Sequence, residues 1–280
     1  MNRRRAALVL VGIAMIGAGL GLLRVSHAQE KPVVVVTTEI LGDFVRKIAE
    51  DRVELAVLIP GGMCPAHYDI RPSDVAAVAR AALVLHHGFE PWMENLVKAS
   101  GSKALVVKTG DDWNVPPNAI QQVGIVLEAL AKILPKDAQI LQQNAVAFQK
   151  RIEELAGRLL ARAQQLNVQE AKVISQAFQA KFVSWLGFHV VGTYPPPERV
   201  SAQLFLQLVQ LGREQKVALV VDNLQSGVGV GARLAFEIGA VSVVLTNFPG
   251  AVPNTRDYLE VIAHNGTQMF EALESYRRRP

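Results

Sequence analysis

The sequence predicts an α/β protein of two Rossmann-like lobes, each built on a parallel sheet, joined by one long backbone helix. Apolar, often β-branched runs of strand length alternate with segments of helical spacing, which is typical of parallel sheets covered by helices. Between two such series lies a proline-free segment with apolar residues at intervals of three and four. That spacing predicts a single long helix between the lobes.

The N-terminal lobe is predicted over residues 29–135. Its first helix, Leu41–Ile48, lies between two strand-like runs, and Ser73 with Asp74 can cap the next helix. The strands predicted for this lobe are Val33–Thr38, Val53–Ile59, Leu83–Leu85 and Leu105–Val107. Their alternation with helices indicates parallel pairing.

The linking helix is predicted over residues 136–167. At 1.5 Å per residue, some thirty helical residues span on the order of 45 Å, which is longer than a small lobe needs. We interpret the segment as a rigid connection between the lobes. A coiled coil with a partner helix is the alternative, but α/β segments continue on both sides.

The C-terminal lobe is predicted over residues 168–280 and has the same alternation of strands and helices as the first lobe. Its predicted strands are Lys172–Ile174, His189–Val191, Ala218–Val221 and Val241–Leu245. Its predicted helices are Phe178–Trp185, Ser201–Arg213 and Gly231–Ile238. Loops at the carboxyl ends of both sheets are expected to face each other across a crevice, which is where open α/β sheets bind ligands.

Residues 1–28 are predicted to be a secretory signal peptide. Three arginines precede an apolar run, Ala6–Leu23, and small residues at Ser26 and Ala28 suit a cleavage site. An uncleaved anchor is the alternative, because the run approaches the length of a membrane-spanning helix. No cysteine directly follows the run to carry a lipid anchor. We therefore expect a periplasmic protein.

Charge and cysteine content exclude several classes of function. Removal of residues 1–28 takes away four of the 29 Lys and Arg and none of the 25 Asp and Glu, so the mature chain is formally neutral. A neutral chain gives no support for nucleic-acid or membrane-surface binding. Cys64 is the only cysteine, so no internal disulfide can form in the oxidising periplasm. We expect a monomer.

Polar side chains follow the predicted strands of both lobes. Imidazole, thiol and carboxylate groups, which are common metal donors, are concentrated in these loops. The candidate metal ligands are Cys64, His67, His86, His87, Asp111 and Glu198. The other candidate crevice residues are Tyr194, Asp222, Asn223, Gln225 and Asn247. Glu198 follows three prolines, a stiff setting that holds a carboxylate in a defined place.

The loop from Ile59 to Asp74 reads IPGGMCPAHYDIRPSD. It resembles the first ligand loop of the periplasmic metal-binding proteins of zinc and manganese ABC transporters, which reads roughly PGxDPHxYxPxPSD. The resemblance implies two α/β lobes on a long helix, a divalent metal (zinc or manganese) as cargo, and a permease with its ATPase as partners. It implies neither an enzyme nor a catalytic cofactor. The His-rich loop of many zinc-specific members is missing here, which leaves the metal open.

The four ligand positions that the resemblance implies all carry other residues. The first His of the family aligns with Ala66, one place before His67. The second aligns with Asp111 in DDWNVPPNA, the third with Ser175 in SQAF, and the fourth, usually Asp, with Asn247 in TNF. The family's metal site therefore cannot be transferred unchanged.

Three hypotheses follow from this departure. In the first, the metal site has moved: His67 turns inward with Cys64, His86 or His87, and Asp111 or Glu198 completes the shell. In the second, the same fold binds an organic ligand or a chelated metal, which the Asn-, Gln- and Tyr-rich loops favour. In the third, Cys64 and His67 form a thiolate and imidazolium pair of an enzyme, although no third group to orient them is evident.

Overall fold

The structure is a computed structural model, and it describes residues 30–279. The signal peptide predicted over residues 1–28 lies outside the described residues. Within them, no helix combines the length and the apolar character needed to cross a membrane. Residues 32–280 form one compact unit that contains both lobes.

The first lobe is a four-stranded parallel sheet with helices on its faces. Strand order is β2-β1-β3-β4, and every neighbouring pair is parallel. The strands are β1 (Val33–Val36), β2 (Glu54–Val57), β3 (Leu83–His86) and β4 (Leu105–Lys108). The helices are α1 (Glu39–Ala49), α2 (Pro72–Arg80), α3 (Met93–Ser100) and α4 (Pro116–Ile133).

Helix α5 (Ala138–Gln165) has 28 residues and connects the two sheets. At 1.5 Å per residue it is about 42 Å long. Its buried residues recur at intervals of three and four, and the helix contacts α1 and α4 of the first lobe. It therefore packs along helices of its own chain. The boundaries predicted for the lobes stay predictions.

The second lobe repeats the topology of the first. Its strand order is β6-β5-β7-β8, again parallel throughout. The strands are β5 (Lys172–Gln176), β6 (His189–Tyr194), β7 (Leu219–Asn223) and β8 (Val241–Leu245). The helices are α6 (Ala177–Trp185), α7 (Ala202–Gln215), α8 (Val230–Ile238) and α9 (Tyr258–Arg277). The predicted fold class, two parallel-sheet lobes on one long helix, is confirmed.

One hydrophobic core runs through both lobes at the level of α1, α5 and α9. The ring of Phe44 on α1 packs edge-on against Phe148 on α5 and Tyr258 on α9, with centroids 5.7 and 5.4 Å away. The buried Asp43 carboxylate accepts a hydrogen bond from the Tyr258 backbone amide at 3.0 Å. Because these contacts join the lobes on the side of the long helix, they fix the relative position of the two sheets.

Candidate functional site

A cavity of about 390 Å³ lies between the lobes, next to the carboxyl ends of their strands. Residues that line it from the first lobe include Cys64, Phe89, Asp111, Trp113 and Asn114. Residues that line it from the second lobe include Phe178, Lys181, Gln225, Asn247 and Phe248. Each group follows a strand or opens the next helix, so the parallel topology brings the two sets together.

The loop that carries Cys64 is held by its own aromatic and acidic residues. Trp92 donates its indole N–H to the Pro65 carbonyl at 2.8 Å, and Tyr68 donates to Asp74 at 2.8 Å. The rings of Tyr68 and Trp92 lie 5.4 Å apart. The Tyr and the Ser-Asp pair of this loop thus have a structural role that does not depend on a ligand.

Four buried amide side chains, Asn114, Gln179, Gln225 and Asn247, form an amide network at the base of the cavity. The Oδ1 atom of Asn247 accepts from Asn114 Nδ2 at 2.6 Å and from Gln179 Nε2 at 2.7 Å. The Asn247 backbone N–H donates to Gln225 Oε1, and its carbonyl accepts from the Trp113 indole at 3.0 Å. Asn247 therefore bonds the first lobe directly through both side chain and backbone.

The amide network has unused acceptors. Asn114 Oδ1 and Gln179 Oε1 are buried and have no hydrogen-bond partner among the described residues. A buried amide oxygen without a donor costs about 1–3 kcal/mol. Asn114 lines the cavity, so its Oδ1 marks a place where a donor from a ligand would be favourable, whereas Gln179 is not among the lining residues.

Four neighbouring rings, Phe89, His87, Trp113 and Phe248, form an aromatic wall, of which Phe89, Trp113 and Phe248 line the cavity. The His87 and Trp113 centroids lie 4.1 Å apart, and Trp113 lies 6.0 Å from Phe89 and 5.5 Å from Phe248. Phe178 belongs to the second lobe, like Phe248, and is 57% exposed although it lines the cavity. The cavity thus presents flat apolar surface from both lobes.

His87 is fully buried within this wall and both ring nitrogens are occupied. Its Nδ1 lies 2.9 Å from the Gly110 carbonyl oxygen, and its Nε2 lies 2.7 Å from Thr38 Oγ1. Because a carbonyl can only accept, Nδ1 carries the proton and Nε2 accepts from Thr38. Burial lowers the pKa of His87 to about 4, so the ring is neutral at physiological pH.

Glu90 lies behind the wall and stays ionised. It accepts from the Thr37 hydroxyl and from the backbone amides of His87 and Gly88, at 2.6, 2.9 and 2.7 Å. Burial alone raises the pKa of this carboxyl, but the nearby His86 side chain and these donors outweigh it, and the pKa lies well below its usual range. His86 Nδ1 is 3.7 Å from Glu90 Oε2 and has no hydrogen-bond partner among the described residues.

The rim of the cavity is charged. Lys181 on α6 pairs with Asp112 of the first lobe at 2.5 Å, which connects the lobes at the surface. Neighbouring Asp111 is exposed and lines the cavity. Since two carboxylates face one ammonium, the rim has a net negative charge that favours neutral or cationic ligands.

Tyr194, Asp222 and Asn223 support the second lobe from beneath the cavity. Tyr194 donates to Asp222 Oδ1 at 2.6 Å, and burial, followed by the charge of Asp222, raises the pKa of that phenol well above its usual range. Asp222 also accepts from the backbone amides of Gly229 and Gly231 at the start of α8. Asn223 Oδ1 accepts from the Gln225 backbone amide at 2.9 Å. Their bonds hold loops in place, and these three residues are not among those that line the cavity.

The structure does not bring the six predicted metal ligands together. Only Cys64 and Asp111 line the cavity. His67 and Glu198 are exposed and lie outside its lining, because each ends up in a short 3-10 turn at the surface. His87 has no free nitrogen. In the described part of the chain, no three His, Cys, Asp or Glu side chains are arranged to hold a metal ion. The assignment of ligands stays a prediction, and this geometry favours Cys64 and Asp111 within it.

Several site residues are missing from the sequence-based set, namely Phe89, Trp113, Asn114, Phe178, Gln179, Lys181 and Phe248. A signal existed for some of them. Asn114 follows Trp113 in the motif DDWNVPPNA, and Phe178 and Lys181 are three residues apart on α6, which places them on one face of that helix. These side chains are aromatic, amide or cationic, so a pattern of metal donors does not include them.

Known relatives agree with this architecture. The family described as ZnuA, zinc-uptake complex component A, periplasmic, matches residues 34–272. The manganese-binding lipoprotein MntA of Halalkalibacterium halodurans is 27% identical over 206 residues, 66% of this chain and 69% of that protein. The manganese ABC transporter substrate-binding lipoprotein PsaA of Streptococcus pneumoniae is 26% identical over 156 residues. The aligned region covers 46% of this chain and 50% of PsaA.

Among solved structures, the periplasmic zinc-binding protein TroA of Treponema pallidum superposes with a TM-score of 0.76. That comparison covers 87% of this chain and 99% of TroA at 22% identity, and at such identity it shows the fold. The match to the family, in contrast, covers nearly all of the described residues. With its two lobes, long helix and interlobe cavity, the chain belongs to the ZnuA family of periplasmic zinc-uptake components.

Proposed function

We propose that this protein is the periplasmic solute-binding component of an ABC importer and carries a first-row divalent metal, zinc or manganese, in the interlobe cavity. One observation carries the proposal: in a chain of this family, residues of both lobes enclose a cavity at the carboxyl ends of the two sheets. Relatives named as zinc- or manganese-binding proteins support a metal cargo. The cargo would pass to a membrane permease driven by an ATPase.

Binding without turnover fits the arrangement of the reactive side chains. The enzyme hypothesis needs Cys64 and His67 to act as a pair. His67 is exposed and is not part of the cavity lining, whereas Cys64 is. The relatives named above are transporter binding proteins, which also favours a carrier. We further propose that the carrier is a monomer directed to the periplasm by residues 1–28.

Capture is expected to involve small movements. The shared core around Phe44, Phe148 and Tyr258 joins the lobes along the long helix, and Lys181 pairs with Asp112 across the rim. Wide opening would break both sets of contacts. Tilting of the lobes and rearrangement of the rim loops are the motions that this construction allows.

Metal analysis of protein purified from periplasm without chelators tests the proposal. We expect stoichiometric zinc or manganese in the wild type and at least tenfold less in Asp111→Ala, which removes a cavity carboxylate. Asp69→Ala is the matched control, because Asp69 is an exposed carboxylate outside the cavity lining and its loss should leave the metal content unchanged. Protein that carries no first-row metal would refute the function.

A further inference from the structure

Resting on the function proposed above, we propose that the cavity takes its metal as a complex with a small organic chelator that bears a flat nitrogen heterocycle. Four features of the cavity carry this inference: its size, its shortage of metal donors, its aromatic surface and the unused hydrogen-bond acceptor of Asn114. Each feature suits a ligand that brings part of its own coordination shell.

The size of the cavity suits a small molecule. A bare zinc ion needs donor atoms that converge at about 2.0–2.3 Å from one point. The cavity has a volume of about 390 Å³, which lies within the range of about 300–1,000 Å³ typical of sites for small organic ligands. The space between the lobes is thus far larger than an ion held directly by protein side chains requires.

The protein donors are too few for a bare ion. Cys64 and Asp111 are the two predicted ligands that line the cavity, and no group of three donors is arranged for a metal within the described residues. Zinc usually takes four ligands. A metal that arrives with donors from a chelator needs only one or two more, which Cys64 and Asp111 can supply.

The aromatic surface suits a planar chelator. The rings of Phe89 and Trp113 from the first lobe and of Phe178 and Phe248 from the second lobe line the cavity, and Phe178 is 57% exposed. Aromatic rings attract other flat rings in offset stacks. These side chains carry no charge, so the surface favours a heterocycle over a hydrated ion.

The polar groups specify the remaining chemistry. Asn114 lines the cavity beside Asn247, and its Oδ1 is a buried acceptor without a partner among the described residues. This acceptor suits a ligand that donates an N–H group. The rim has two carboxylates against the single Lys181 ammonium, which favours a neutral or cationic complex.

Titration calorimetry of the intact protein with free zinc, histidine alone and the zinc–histidine complex tests the inference. Histidine supplies an imidazole ring with an N–H donor and chelates zinc. We expect the complex to bind at least tenfold more tightly than either component. Phe178→Ala should weaken binding of the complex by about tenfold, because it removes one stacking surface. Phe236→Ala is the matched control, since Phe236 is 86% exposed and is not a cavity residue.

The outcomes separate this inference from the function on which it rests. If free zinc binds as tightly as the complex and Phe178→Ala changes nothing, the chelate is refuted while a metal carrier stands. If histidine alone binds as tightly as the complex, the metal adds nothing and the chelate is again refuted. The metal content of protein purified from periplasm decides the function independently of both results.

Discussion

Replacement of Asn247 by alanine should weaken the contact between the lobes by a predictable amount. The Asn247 Oδ1 atom is the acceptor for two buried donors, Asn114 Nδ2 and Gln179 Nε2. Alanine leaves both donors unpaired, and each unsatisfied buried donor costs about 1–3 kcal/mol. Because the cavity can admit water to part of the network, we expect a loss near the lower part of the summed range, about 3 kcal/mol in the free energy of unfolding.

Urea denaturation followed by tryptophan fluorescence measures this loss, with an unchanged m value as the test that the denatured state is the same. Asn247→Asp is the matched control, because a carboxylate of nearly identical shape still accepts from both amides. We expect it to lose less than about 1 kcal/mol at neutral pH. A loss below about 1 kcal/mol in Asn247→Ala, or an equal loss in both variants, would show that the acceptor does not connect the lobes.

Three further predictions concern pH and packing. The folded protein keeps His87 neutral down to about pH 4, whereas the unfolded chain takes up a proton below about pH 6.5, so stability falls with pH in that window. Wild type should lose about 3 kcal/mol relative to His87→Gln between pH 6.5 and pH 4 in urea titrations. The same dependence of stability on pH in wild type and His87→Gln would refute this prediction.

Burial raises the pKa of Asp43 to about 6, so its contribution to stability is lost as the pH rises through 6. Asp43→Asn should therefore gain about 2 kcal/mol over wild type at pH 8 and nothing at pH 4, by the same titrations. Gly61→Ala should lower the melting temperature, because its Cβ would overlap the Pro249 carbonyl oxygen of the other lobe. Gly62→Ala should leave the melting temperature unchanged, because a Cβ at Gly62 would have open space around it.

The fold could be predicted from sequence because its pattern is locally consistent. Each strand of both sheets is a short apolar run between helices, and the proline-free segment around Phe148 carries its apolar residues at helical intervals. The pattern did not show which elements pack against each other. Helix α4, for example, covers one side of the long helix but was not among the predicted helices.

The site was predictable only in its location. Strand ends correctly indicated a cavity between the lobes, and Cys64, Asp111, Gln225 and Asn247 line it. The side-chain directions could not be read from the sequence. His67 lies only three residues from Cys64 but faces solvent, because a 3-10 turn over Pro65–His67 rotates it away. His87 was selected as a donor, yet Thr38 and Gly110, distant in sequence, occupy both of its nitrogens.

Asn247 shows how the two lobes are held together at the site although the usual ligand positions carry other residues. Where metal ligands come from two lobes, the ion itself joins them. Here Asn247 joins the lobes through hydrogen bonds to Asn114 and Trp113, so the crevice is held without any ion. A ligand can shift a conformational equilibrium only by the difference in its affinity for the two states. Affinity and any closure must therefore come from groups that the ligand contacts directly, and the cavity offers Cys64, Asp111 and the aromatic rings for that purpose.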